Sequence, residues 1–392
     1  MSVLITHARV RNALVATRSL GRHGIKVTTA DSIYPSTSFF SKYSSSYFLY
    51  PSYKLSPELF INSLRNYTHK KEGIYVLMPM SDETFVISKY RYVFDTTVHV
   101  PMPSHETIMR ANNKRYLVSF AEGIGVRTPR TYTLDDISEL KQVAKKIEFP
   151  AVIKLVEGMG SKGLRYVYSE DELICEYKEV IQKFNLKSFE YPLIQEYIPG
   201  TEYDVAMLFN LGEPRAICTI RNIREFPITG GPSTARISVR YAKIESQATM
   251  LLKELEWHGI AEVEFKLDER TKEPVLMEIN PRFWGSLNQA ICAGVDFPYL
   301  LYTMAMEGDI QPVLTYKTGV KTRWMLGDLR ALVDYLRTGK RMEILKEFLK
   351  FNGQYYDDLS FSDPIPTIAE VMIPIMNFIK TGKLKFSPEE ER

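Results

Sequence analysis

Apolar residues at the start of the chain come in short runs separated by polar stretches. Val3-Leu4-Ile5 reads as a strand, Asn12 to Leu20 as a helix closed by Gly21 or Gly24, and Ile25 to Thr29 as a second strand ending at Asp31. Strand, helix and strand in that order open a parallel sheet. Tyr75 to Met78 is a further strand, Pro79-Met80-Ser81-Asp82-Glu83 leads into a helix, and Val98 to Val100 is a shorter strand. After a connector holding Pro101, Pro103 and Ser104, the pattern predicts helices over 113–122 and 137–147. Val126 to Tyr132 lies extended between them, and Phe149-Pro150 ends the second helix. From Ala151 the pattern turns to β, with strands over 151–156, 164–168, 193–197, 203–210 and 215–221, then a helix over 245–257. Beyond residue 323 it is helical, over 329–336, 344–349 and 368–379. The last stretch, interrupted by Pro374, reads as a packed C-terminal cap.

The strongest local signal is a pair of apolar runs broken by acids. Ala261-Glu262-Val263-Glu264-Phe265 is followed, after the polar turn Lys266 to Pro274, by Val275-Leu276-Met277-Glu278-Ile279-Asn280-Pro281-Arg282. This predicts a β-hairpin. Alternation sends Glu278 and Asn280 to one face and Met277 and Ile279 to the other, with Glu264 opposite the polar pair. Two carboxylates and a carboxamide are hard oxygen donors suited to Mg²⁺, which completes its shell with phosphate and water. Arg282 adds a fork that grips phosphate.

Length and charge narrow the classes. The 392 residues predict two or three domains, and 45% apolar content is that of a globular protein. A net charge of +3 is too small to imply nucleic acid. No apolar run reaches about 18 residues, so no membrane span is expected. The N-terminus runs straight into a strand without a signal-peptide core. The three cysteines, Cys175, Cys218 and Cys292, lie far apart among apolar neighbours and read as reduced core residues of a cytoplasmic protein. The first turn, Thr6 to Arg11, lacks glycine, so NAD and FAD are not predicted.

Lys154 interrupts the apolar strand 151–156, and a buried ammonium needs a partner. It is followed by Gly158-Met159-Gly160-Ser161-Lys162-Gly163. A strand follows this turn rather than a helix, which is wrong for a dinucleotide site. A glycine-rich turn between strands is either a plain tight hairpin or a flap whose backbone amides close over polyphosphate. Gln195-Glu196-Tyr197-Ile198-Pro199-Gly200-Thr201-Glu202 is a strand ending in a Pro-Gly turn. It is either that alone or a backbone edge that reads adenine, with an acid beyond it for ribose.

Taken in order, Lys114, Lys154, the glycine turn, Gln195-Glu196-Tyr197-Ile198, Glu202, Glu264 and Glu278-Ile279-Asn280-Pro281-Arg282 resemble the ATP-grasp superfamily over roughly residues 1–310. The similarity is to its carbamoyl-phosphate-synthase-like carboxylate–amine ligase branch. It implies a mixed α/β (α+β) fold in four parts. These are a Rossmann-like pre-ATP-grasp domain (1–105), an ATP-grasp lid domain with the flap (106–200), a C-terminal grasp domain (201–315) and a helical extension (316–392). By position, the resemblance gives Lys114, Lys154, Gly160, Ser161, Lys162 and Gly163 to the phosphates of ATP. Gln195, Glu196, Tyr197 and Ile198 fall at the adenine, and Glu202 at the ribose. Glu264, Glu278 and Asn280 would hold Mg²⁺ (or Mn²⁺), and Arg282 would stabilise the transferring phosphoryl. The stretch 221–234 resembles a mobile loop of that branch with Gly230-Gly231 as hinge. It offers Arg221 and Arg224 as clamps for the γ-phosphate or a substrate carboxylate, or is a solvated loop. Arg9, Arg11, Gly231, Ser233, Trp284, Gly285 and Ser286 are the candidates for the substrate pocket.

The implied reaction is ATP-dependent ligation of a carboxylate and an amine through an acyl phosphate, releasing ADP and phosphate, with amino acids or a small peptide as substrates. Bicarbonate activation, as in biotin carboxylase, and a catalytically silent ATP-binding regulator are the alternatives. No nucleic-acid or membrane partner is expected, and a homodimer is the default assembly. No Ser-His-Asp or Cys-His set is visible, and none of the six histidines stands out.

Overall fold

Period-2 patterning builds three sheets in the computed structural model, which describes residues 2–70, 73, 75–158, 162–228, 230–337, 345–346, 348–349 and 354–382. The first sheet is parallel, in the order β3-β2-β1-β4-β5 from β1 (Ser2–Ile5), β2 (Lys26–Asp31), β3 (Ser44–Leu49), β4 (Tyr75–Met78) and β5 (Val98–His99). Its central strands are apolar on both faces because helices cover both. α1 (Arg11–Arg22) lies on one face, and α2 (Pro57–Lys70) and α3 (Glu83–Lys89) contribute to the core on the other. β3 and α2 were not predicted. The serine-rich run 44–46 masks the first, and a weak apolar stripe hides the second.

The second sheet has four strands in the order β6-β9-β7-β8: β6 (Thr131–Tyr132), β7 (Ala151–Lys154), β8 (Arg165–Val167) and β9 (Leu193–Glu196). Two short helices precede it, α4 (His105–Asn112) and α5 (Lys114–Gly123). α6 (Leu140–Ala144) and α7 (Glu170–Phe184) pack against the sheet in a separate apolar cluster. β7 and β8 pair antiparallel, Ala151 opposite Val167, so the glycine turn does join two strands. Met159, Gly160 and Ser161 lie outside the described residues.

The third sheet is the largest, in the order β14-β13-β10-β11-β12-β15-β16. Its strands are β10 (Gly200–Asn210), β11 (Glu213–Glu225), β12 (Ser233–Ser238), β13 (Gly259–Asp268), β14 (Pro274–Asn280), β15 (Lys321–Arg323) and β16 (Gln354–Tyr356). On β10, Val205, Met207 and Phe209 bury one face against α8 (Ala242–Glu254). Ala206 and Leu208 bury the other against α1, α9 (Leu287–Cys292) and α10 (Phe297–Glu307). One apolar cluster therefore joins the first and third sheets.

Three expectations are corrected. Residues 221–225 and 233–234 are strand, not loop: the hairpin of β11 and β12 encloses only a short turn. The segment after 316 is not purely helical, because β15 and β16 extend the large sheet before α11 (Met325–Arg337) and α12 (Ile365–Thr381). Of the predicted helix 344–349, residues 344 and 347 lie outside the described residues, as does the acidic tail. Cys218 is buried and Cys292 half-buried, but Cys175 is exposed on α7, where its apolar neighbours face inward without it. No helix among the described residues is long and apolar enough to cross a membrane.

Candidate active site

A cleft of about 450 Å³ opens between the three sheets. Its floor is the continuation of the face of β10 that buries Ala206 and Leu208. Toward the strand's start that face carries Glu202 and Asp204, which line the cleft. The neighbouring strands repeat the switch from apolar to acidic. β13 presents Glu262, Glu264 and Lys266, β14 presents Glu278 and Asn280, and β11 presents Asn222 and Glu225.

Register brings the acids together. Glu264 pairs with Glu278, and Glu262 with Asn280. The Asn280 Nδ2 donates to Glu264 Oε1 at 2.6 Å and to Glu262 Oε2 at 3.2 Å, while Arg282 Nη2 donates to Asn280 Oδ1 at 3.3 Å. Strict alternation fails at one point. Phe265 pairs with Leu276, so Met277 is an extra residue, a β-bulge that turns its side chain into the cleft beside Glu278. Ile279 faces the core as expected.

The side of the cleft that carries Lys114 and Lys154 is built from helix capping and strand ends. Asn113 caps α5, its Oδ1 accepting from the Tyr116 N–H at 3.0 Å. The Lys114 N–H donates to the Val156 carbonyl at 2.9 Å, which ties α5 to the end of β7. The Lys114 ammonium then spans the cleft, reaching the Gly158 carbonyl at 3.1 Å and Glu278 Oε2 at 3.2 Å. Lys154 lies in the same field. Burial lowers its pKa to about 8, against the pull of Glu278. At Glu278 burial acts to raise the pKa, but Lys114 and Lys154 outweigh it and hold the carboxyl below its ordinary value.

At the remaining acids the nearby cations do not outweigh burial and like charge. Burial, then the Glu264 carboxylate, push Glu262 well up. Burial, then Glu278 and Glu202, do the same to Glu264. Asp204 is raised by burial and by Glu262, and Glu225 rises to about 8 through burial and Glu202. Crowded, desolvated oxygen donors of one sign call for a cation. Among the described residues no three acidic, histidine or cysteine side chains close around one point. Mg²⁺ does not need a closed cage, since it keeps water and phosphate in its shell. The donor set Glu264, Glu278 and Asn280 fits it, with Glu262 as a further acid at the same spot. Glu262 stands two residues before Glu264 on the same strand, so alternation in the sequence already puts the two on one face.

Other predicted residues are distributed unevenly. Glu196, Tyr197, Ile198, Glu202 and Lys162 line the cleft. Glu196 Oε1 accepts from Arg270 at 2.7 Å, and its N–H donates to the Arg130 carbonyl at 2.9 Å. Glu202 accepts from Asn222 Nδ2 at 3.1 Å. Lys162 reaches the ring of Phe184, 5.4 Å from its centroid. Gln195 does not line the cleft: one residue out of phase with Glu196, it is buried and donates to Thr131 Oγ1 at 3.0 Å. Gly163 is not a lining residue; it takes the left-handed conformation (φ 71°) and a Cβ there would meet Leu155 at 2.8 Å.

Arg9, Arg11, Gly231, Ser233, Gly285 and Ser286 line the cleft, and Trp284 does not. Its indole is buried edge-on to Phe297 in the core, next to Phe283 in the same cluster, and the chain returns to the cleft only at Gly285 and Ser286. Arg9 is held by Asp31, Nε to Oδ1 at 3.0 Å, and by Ser32 Oγ at 2.7 Å. Arg224 is corrected: it is buried, doubly bonded to Asp328 at 2.8 and 2.7 Å and 4.2 Å from the Phe348 ring centroid, so it is not available to phosphate. Arg221 does not line the cleft either. The bulges between Asn222, Arg224 and Glu225 change the facing of this strand end.

Comparison with known proteins agrees with this architecture. A family model described as "ATP-grasp in the biosynthetic pathway with Ter operon" matches residues 188–327. The carbamoyl phosphate synthase large chain of Pyrococcus furiosus is 27% identical over 216 residues, 53% of this chain and 20% of that protein. Among solved structures, a biotin carboxylase from Campylobacter jejuni superposes with a TM-score of 0.67 at 17% identity, covering 82% of this chain and 74% of the other. An L-amino acid ligase from Bacillus licheniformis gives 0.61 at 18% identity, covering 80% and 78%. This chain spans only a fifth of the length of the P. furiosus relative.

Proposed function

We propose that the chain is an ATP-grasp protein, a reading supported by the match over residues 188–327 and by the shared fold, and that it is a carboxylate–amine ligase working through an acyl phosphate. Residues 1–105 act as the pre-ATP-grasp domain, 106–200 as the lid, 201–315 as the grasp domain and 316–392 as an extension. The observation that carries the reading is the meeting of two ammonium groups and a row of buried acids in one cleft. Lys114 bonds both the glycine turn and Glu278. Such a site neutralises both partners in a phosphoryl transfer, the anionic nucleotide and the metal.

Glu264, Glu278 and Asn280 would hold Mg²⁺, which supplies charge neutralisation at the outer phosphates. Lys114 and Lys154 bind and orient the same phosphates. Tyr197 and Ile198, which line the cleft with Glu202, accommodate the nucleoside. Arg282 stabilises charge on the transferring phosphoryl. A substrate carboxylate oxygen attacks the γ-phosphorus, the bond to the bridging oxygen breaks, and ADP leaves. An amine nitrogen then attacks the acyl carbon, phosphate departs with the C–O electron pair, and the nitrogen loses a proton. A free carboxylate cannot expel oxide, so phosphorylation is what makes the acyl group transferable. The protein contributes positioning and a preorganised field.

The test is product analysis with Mg²⁺ and paired carboxylate and amine substrates, amino acids first. ADP and phosphate should form together with an amide. AMP and pyrophosphate would overturn the acyl-phosphate route. ATP cleavage stimulated by bicarbonate alone would favour the carboxylase alternative. Binding without turnover across the panel would favour a regulator.

A further inference from the structure

The cleft continues past the metal hairpin to an end that the phosphoryl chemistry does not use, and α12 forms its wall there. Glu370, Ile373, Pro374 and Asn377 recur at three- and four-residue spacing and all line the cleft. The helix is fastened at its start. Asp363, buried, accepts from Arg18 Nε at 2.9 Å, Ser41 Oγ at 2.8 Å and the Lys42 N–H at 3.0 Å. These bonds anchor the C-terminal helix to α1 and the turn before β3.

A chain of contacts leads from the hairpin to this helix. The Gly285 carbonyl, three residues past Arg282, accepts from Arg11 Nε at 3.1 Å. The Arg11 guanidinium lies 4.1 Å from the Trp324 ring centroid, and Trp324 Nε1 donates to Glu370 Oε1 at 3.3 Å. Two deficits of opposite sign stand at the ends of this chain. Among the described residues Arg11 Nη1 is buried without a hydrogen-bond partner. The carboxylate beside Arg11, Asp357 at 3.6 Å, is already bonded to Arg236, so one acid serves two guanidiniums. Among the described residues Glu370 forms no ion pair, and burial and Asp358 push its carboxyl up to about 7 against the field of Arg11.

We propose that this end of the cleft is an α-amino-acid subsite in which Arg11 receives the α-carboxylate, Glu370 of the C-terminal helix receives the α-ammonium, and Trp324 holds both groups apart. The inference rests on the ligase reading and names its substrate class. With the α groups held between Arg11 of α1 and Glu370 of α12 at this end, the side chain points back along the cleft toward Arg282. The carboxylate that attacks phosphorus is then a side-chain carboxylate, and the substrate is an acidic amino acid.

The experiment is calorimetric titration of the full chain with Mg²⁺. A non-hydrolysable ATP analogue, AMP-PNP, is titrated first. L-glutamate, L-aspartate, glutarate and γ-aminobutyrate follow. L-glutamate or L-aspartate should bind. Glutarate lacks the α-ammonium and γ-aminobutyrate lacks the α-carboxylate, and each should bind at least about 10-fold more weakly than L-glutamate, the scale of one charge-assisted hydrogen bond. Glu370→Gln should abolish the preference for glutamate over glutarate. AMP-PNP binding without either amino acid binding, or glutarate binding as tightly as glutamate, would overturn the subsite. Failure of AMP-PNP to bind would count against the nucleotide reading alone, because the comparison among acids in the parent protein is scored separately.

Discussion

Two sets of buried acids in this molecule are treated in opposite ways. Asp328 is saturated: Oδ1 accepts from Arg224 at 2.8 Å and Thr234 at 2.9 Å, and Oδ2 from Arg224 at 2.7 Å and Arg323 at 2.8 Å. Asp204, Glu262 and Glu264 instead face one another, and burial with mutual repulsion raises all three pKa values. The first set joins α11 to β11 and β15 and is complete within the protein. In the second, the nearby Arg282 and Arg236 do not outweigh burial and like charge, and in the proposed reading a bound cation completes it. Buried charge alone therefore does not mark a site; buried charge that its neighbours leave unbalanced does.

The largest effect expected from this contrast is at Glu278, the acid closest to the ammonium groups. Glu278→Gln should lower kcat by at least about 100-fold, the scale of losing one preorganised electrostatic group, while leaving the circular dichroism spectrum and melting temperature near parental. Turnover close to parental in the pure variant would remove Glu278 from the metal set. Asp328→Asn should do the reverse. Two guanidiniums left against a neutral amide should cost about 3–5 kcal/mol of stability, with specific activity of the folded fraction little changed. A selective loss of activity there would return Arg224 to the catalytic machinery.

Lys154 offers a smaller and pH-dependent effect. Lys154→Met should raise KM for ATP by about 10-fold or more, the worth of a charged phosphate contact. In the parent, the ammonium is lost as pH rises through about 8, so kcat/KM for ATP should fall above that pH. Lys154→Arg should not show the fall, and an unchanged profile in the parent would separate Lys154 from the phosphates. The smallest effect concerns Glu225. Its folded pKa is raised to about 8, so its contribution to stability is full below the ordinary carboxylate pKa and is lost as pH rises through about 8. Melting curves of metal-free protein should decline over that window, and Glu225→Gln should flatten the decline. An equal slope in both proteins would show that Glu225 does not carry it.

The hairpin was readable because its chemistry and its periodicity coincide. Glu264 and Glu278 pair as alternation predicts, and the glycine turn joins two antiparallel strands. Reading failed where a side chain's direction depends on a local irregularity. The bulge at Met277 turns an apolar residue into the cleft, and bulges beyond Asn222 accompany the placement of Arg224 against Asp328. Trp284 and Gln195 failed for a simpler reason: each neighbours a cleft residue and faces the core instead.

Strand alternation, the hairpin acids and the lysine before a glycine turn are local patterns, and the chain by itself determined them, because side-chain period and donor chemistry act over a few residues. The tertiary structure alone decided that Asp204 and Glu225 join those acids, that Arg224 is neutralised by a residue on α11, and that Glu370 returns to face Arg11. These depend on pairings between positions far apart in sequence, set by which faces must be buried, and no local pattern encodes their meeting.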